Sequence, residues 1–117
     1  DGDLRIDDSG GYELQLDVEG PAVQTAELFG ILSDADRSIQ ETLHDNITLD
    51  RDGRGSFQVH GSTQILDGMN VTVTISVVGT SPTSSHLTNG FGFTEHIIPW
   101  QSGTRYEIHN LAWKRIT

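Results

Sequence analysis

The chain has no cysteine, one methionine and, among its seven cationic residues, a single lysine, Lys114. Without cysteine there is no disulfide to restrain the unfolded chain, no thiolate nucleophile and no thiolate metal ligand. Positive charge is scarce throughout: seven Lys and Arg face 17 Asp and Glu, a formal net charge of −10 over 117 residues. A phosphate backbone is held by cations that neutralise it, so nucleic acid is not an expected partner. No apolar run approaches the roughly 20 residues that a helix needs to cross a bilayer, and no transmembrane segment is expected here. Also missing are a Gly-x-Ser-x-Gly elbow, a phosphate loop, a dinucleotide fingerprint and a nucleophile with a base close by in sequence. Neither catalysis nor a cofactor is expected. The sequence begins at Asp1 rather than Met, which points to a processed or truncated N-terminus.

The charge that is present has a particular composition. Asp outnumbers Glu eleven to six, and six of the seven cations are Arg. At low salt this excess repels itself and opposes compactness, whereas at 1 M salt the repulsion reaches only about 3 Å. The bias resembles that of proteins from salt-loving organisms, in which short hydrated carboxylates replace long lysine stems. The resemblance covers composition along the whole chain and rests on no motif; it implies a surface adapted to high salt.

A chain of 117 residues fits one domain, residues 1–117, able to bury roughly two-thirds of its unfolded surface. Hydrophobic residues make up 34%, and 13 glycines against three prolines suit a fold with many turns rather than a disordered chain. Tyr12, Leu14, Leu16 and Val18 alternate with Glu13, Gln15, Asp17 and Glu19, the period of two of a strand with one buried face. Met69, Val71, Val73, Ile75 and Val77 alternate in the same way with Asn70, Thr72, Thr74 and Ser76, and predict the longest strand. Shorter strands are expected through Ile47 and Leu49 and through Phe57 and Val59. Asp50 to Gly55 lies between them and reads as the loop of a β-hairpin.

Towards the C-terminus, Phe91 and Phe93 lead to Ile97 and Ile98. Tyr106 and Ile108 begin a last strand whose parity changes before Leu111 and Trp113, which predicts a bulge near His109 and Asn110. Residues 26–32 read as a strand, and Asp34 to Leu43 as a long loop or one helical turn with Ser33 as its cap. Residues 81–88, rich in Ser and Thr, read as a surface loop. Asp1, Asp3, Asp7 and Asp8 make residues 1–10 a flexible terminus, unless Leu4 and Ile6 dock it as an edge strand or it is donated to a neighbour. Seven to eight short strands without a βαβ rhythm predict an all-β fold, a single antiparallel β-sandwich of immunoglobulin-like or jelly-roll topology.

Asn46-Ile47-Thr48 and Asn70-Val71-Thr72 match the N-glycosylation acceptor pattern. Both Asn residues are out of phase with their apolar neighbours, so both are expected to face solvent, glycosylated or not. Asp50, Asp52 and Gly53 resemble part of a calcium loop, but an EF-hand alignment puts Thr48 and Val59 at two principal ligand positions. A plain turn explains them as well, and no metal site is expected. The histidines His44, His60, His86, His96 and His109 never fall at a short ligand spacing. Among the aromatics, Tyr12 and Tyr106 share phase with apolar neighbours and read as core. Trp100, between Pro99 and Gln101, is the candidate for an exposed ring that stacks on a sugar or another ligand. Charge, acceptor sequons and missing catalytic motifs together predict a non-catalytic extracellular or cell-surface module. It would act by assembly with its own copies or other surface proteins, as in a surface layer, a pilus-like filament or a virion exterior. A secreted module that binds carbohydrate or another ligand is the alternative.

Overall fold

The computed structural model describes residues 1–8, 10–20, 22–36, 38–63, 65, 68–80, 93–109 and 112–115. Strands β1 (Gly2–Ile6), β2 (Gly11–Glu19), β3 (Thr25–Asp34), β4 (Gln40–Thr48), β5 (Arg54–Ser62), β6 (Asn70–Thr80), β7 (Phe93–Pro99), β8 (Arg105–His109) and β9 (Ala112–Arg115) follow in order. Every pairing between them is antiparallel. Sheet A has the order β5-β2-β1-β8-β9 and sheet B the order β4-β3-β6-β7. The second strand pairs with the fifth and the third with the sixth, the interlocked connections of an immunoglobulin-like sandwich, and β8 and β9 extend sheet A beyond β1.

The alternating patterns become the two inner faces. Leu4, Ile6, Tyr12, Leu14, Leu16, Val18, Phe57, Tyr106 and Ile108 point inward from sheet A, all at most 7% exposed. Ala26, Leu28, Leu32, Leu43, Val71, Val73, Ile75, Val77 and Ile98 meet them from sheet B. A buried Leu, Val or Phe side chain contributes about 1.5–3 kcal/mol relative to exposure, which makes this layer the main source of stability. β6, with 11 residues, is the longest strand.

Several expectations need correction. Among the described residues nine strands stand against the seven to eight expected, because the last expected strand is two, β8 and β9; and where a long loop or helical turn was expected from Asp34, β3 reaches Asp34 and β4 begins at Gln40. Asp34 accepts from Ser38 Oγ at 2.8 Å and from Ile39 N at 3.3 Å, closing a tight turn after which β4 begins at Gln40. The N-terminus is neither loose nor at an edge: β1 is flanked by β2 and β8, with Leu4 and Ile6 buried in the chain's own core. A donated first strand would have to leave that position and its hairpin with β2. Where a bulge was expected near His109 and Asn110, Ile108 pairs with Trp113 and His109 with Ala112, so the chain reverses there; Asn110 and Leu111 lie outside the described residues.

The expected hairpin at Asp50 is a crossing between sheets. β4 belongs to sheet B and β5 to sheet A, so the two strands do not form a ladder. The turn itself is tight: Asp50 Oδ1 accepts from the amides of Asp52 and Arg54, both at 2.9 Å. Gly53 adopts φ 76°, and a Cβ there would collide with the carbonyl oxygen of Gly20. Residues 81–88, Phe91 and His86 lie outside the described residues.

Candidate functional surface

The two sheets present opposite kinds of surface to water. The outward positions of sheet A carry Asp3 and Arg5 on β1, Glu13, Asp17 and Glu19 on β2, Arg54 and His60 on β5, Arg105, Glu107 and His109 on β8 and Lys114 on β9. Those of β1 and β8 are linked to one another. Asp3 lies 3.4 Å from Arg5 and 3.9 Å from Arg105, and Arg105 reaches Glu107 at 3.1 Å. His109 joins Glu107 at 2.8 Å to Asp1 at 3.6 Å. The hydrogen bond from His109, with the positive charges of Arg105 and Lys114 nearby, holds the Glu107 carboxyl below its ordinary pKa.

The outer face of sheet B is assembled from hydroxyls and apolar groups. Reading across the ladder, Thr42, Ile31, Thr74 and Glu95 form one row; Gln40, Ser33, Thr72 and Ile97 form another. Phe29 is 45% exposed, Ile31 43% and Ile97 63%; among the described residues Val23, which precedes β3 in a loop, is the other large exposed apolar residue. Among the described residues Glu27 and Glu95 are the only carboxylates at outward strand positions of sheet B. Glu27 sits 3.4 Å from His44, whose ring packs against Phe29 at 5.1 Å between centroids.

Side chains reach across both edges from one sheet to the other. At the β4–β5 edge Asp45 Oδ2 accepts from the amide of Gln58 at 3.0 Å, satisfying a donor that an incoming strand would otherwise use. At the β7–β9 edge Trp113 stacks on His96, 5.7 Å apart and 6° from parallel, and its Nε1 donates to Thr94 Oγ1 at 3.1 Å.

Against this frame the candidate residues separate. Asn46 and Asn70 are both exposed, and both lie on the outer face of sheet B. Trp100 is a correction: it is 1% exposed, edge-on to Tyr12 at 6.2 Å, with its backbone bonded to Gly68 and Met69. A ring enclosed in this way has no free face for a sugar. The Asp50 carboxylate serves the amides of its own turn, and among the described residues no group of three or more His, Asp or Glu is placed to hold a metal ion. Tyr12 and Tyr106 are core residues whose pKa values burial raises, Tyr12 also under the influence of Glu41; the Tyr106 hydroxyl donates to the Pro99 carbonyl at 2.9 Å.

Phe29, Ile31 and Ile97 did not emerge from the sequence as surface residues. The signal was present in the run Leu28-Phe29-Gly30-Ile31-Leu32, where apolar residues occupy both phases of a strand and one phase has to lie opposite the core. No protein-family model, no curated protein and no solved structure matches the chain.

Proposed function

We propose that this chain is a non-catalytic extracellular assembly subunit working in high salt, and that it meets a second copy of itself through the outer face of sheet B. The observation that carries this reading is the contrast in charge. Two molecules of net charge −10 repel at long range, and burying sheet A would in addition strip water from its carboxylates and from the arginines and lysine set among them. Sheet B brings hydroxyls, Phe29, Ile31 and Ile97 instead, with two carboxylates, Glu27 beside His44 and Glu95 on β7. Such contact costs little unpaired charge and removes apolar surface from water.

One further point supports it. Face-to-face packing is favoured over strand addition, because Asp45 occupies the Gln58 amide and Trp113 covers the β7–β9 edge.

Salt makes the reading testable, since long-range repulsion reaches about 10 Å at 0.1 M and about 3 Å at 1 M while apolar contact persists. Sedimentation velocity across that range should show monomer at low salt and dimer or higher species at molar salt. A chain that stays monomeric in molar salt at high concentration overturns the proposal.

A further inference from the structure

Among the described residues four large apolar side chains are exposed, and two of them stand beside acceptor sequons. On β3 and β4, Phe29 pairs with His44 and Glu27 with Asn46, so Asn46 and Phe29 are diagonal neighbours on one face. On β6 and β7, Thr72 pairs with Ile97 and Asn70 with Pro99, which makes Asn70 and Ile97 diagonal neighbours too. Diagonal residues on one face of an antiparallel pair lie about 7–8 Å apart, within reach of long side chains and hence of a sugar ring carried on an Asn amide. Both Asn residues are exposed, and Thr48, the hydroxyl partner of Asn46, points to the same side.

A pyranose has an apolar face of C–H groups that packs on aromatic and aliphatic side chains, much as other amphipathic groups cover apolar surface. Phe29 at 45% and Ile97 at 63% exposure offer such surface beside the two linkage points. Asn46 shares a row with Glu27 and Val78, and Asn70 lies eight residues from Val78 along β6, about 26 Å at strand rise. The two acceptors therefore stand at opposite ends of the face, with Ile31 between them.

We propose that N-linked carbohydrate at Asn46 and Asn70 packs over Phe29 and Ile97, and that its presence decides whether the outer face of sheet B can receive a second copy. The gating half of this proposal rests on the assembly reading; the contact between sugar and side chain does not.

The test compares the chain secreted from an N-glycosylating host with the same chain from a host that adds no sugar. Intact mass and peptide mapping locate the sugar, sedimentation in molar sodium chloride measures association, and thermal unfolding measures stability. Expected are sugar at both Asn residues, association at least roughly tenfold weaker in the glycosylated form and a melting temperature a few degrees higher. Phe29→Ser should abolish the part of that gain that Asn46→Gln also abolishes.

Absence of sugar at both positions in the secreted chain overturns the proposal. Equal association by the two forms overturns the gate and leaves the assembly reading standing. Monomers in both forms overturn the assembly reading and the gate together; a stability gain lost in Phe29→Ser would then still support the sugar contact. A gain unchanged in Phe29→Ser would overturn that contact.

Discussion

The outer faces of the two sheets rest on the same core and follow the same alternation, yet one is a connected network of charges and the other is almost free of them. On sheet A each carboxylate of the β1–β8 region has a guanidinium or an imidazole within reach, as in the series Arg5, Asp3, Arg105, Glu107, His109, Asp1. On sheet B the same kind of ladder carries Thr42, Thr72, Thr74, Phe29, Ile31 and Ile97. A chain with 17 carboxylates has no shortage of charge to place on both. The comparison teaches that solubility alone does not account for sheet B, since a uniformly acidic surface would serve that purpose better.

The largest effect should come from the layer that both faces share. Trp100→Ala empties a site among the largest fully buried side chains, and Phe or Trp truncations in cores cost about 3–5 kcal/mol. Denaturant titration should show that loss. The fraction that stays folded should associate in molar salt as the parent does, because Trp100 touches neither outer face. A variant of parental stability with altered association would mean that the ring is a surface feature after all.

Next in size is the face itself. Ile31→Lys introduces a charge at the centre of sheet B, and burying it at an interface should weaken association by roughly 30-fold or more, the effect of losing one strong contact. The matched change on sheet A is Gln58→Lys, at another exposed outward position. Both substitutions reduce the net negative charge equally, so both relieve long-range repulsion. Equal behaviour of the two variants in sedimentation would erase the distinction between the faces.

The edges should respond less. Trp113→Phe keeps a ring against His96 but removes the donor to Thr94 Oγ1, and one such hydrogen bond contributes about 1 kcal/mol. A thermal shift of a few degrees is expected, with the oligomeric state unchanged in molar salt. New high-order species in Trp113→Phe would instead identify the β7–β9 edge as the surface that needed protection.

What the sequence made legible follows from how local the information is. β2 and β6 each have one apolar phase and one polar phase, so a single window reveals both the strand and its buried side. β3 is apolar in both phases through Leu28, Phe29, Ile31 and Leu32, which hides its outer face. β4 turns Glu41, Leu43, Asp45 and Ile47 inward, and that mixed row at a sheet edge does not read as a buried face. The Asp50–Gly53 turn is local chemistry and was readable. Whether the chain then returns along its own strand or crosses to the other sheet depends on partners far along the sequence. Trp100 shows the same limit, because its neighbours Pro99 and Gln101 suggest a loop while Tyr12, 88 positions away, makes it core. The exposure of Asn46 and Asn70 was legible from phase alone; their position beside Phe29 and Ile97 required the register.

The smallest effect belongs to the charge network of sheet A, and its sign can be worked out. Glu107 has its pKa lowered, first by the hydrogen bond from His109 and then by the charges of His109, Arg105 and Lys114. A carboxyl whose folded pKa lies below its unfolded value adds stability above the unfolded pKa, and that contribution disappears as pH falls through the folded value. Glu107→Gln should therefore leave behaviour in molar salt almost unchanged, lower stability slightly at neutral pH and low salt, and make the decline below pH 4.5 shallower. Salt should diminish the difference, because a partly exposed pair is screened where the apolar contacts of sheet B are not. Thermal melts of the parent and Glu107→Gln across that pH range at two salt concentrations measure it. If the variant instead abolished association in molar salt, the working surface would lie on sheet A and the comparison would have to be reversed.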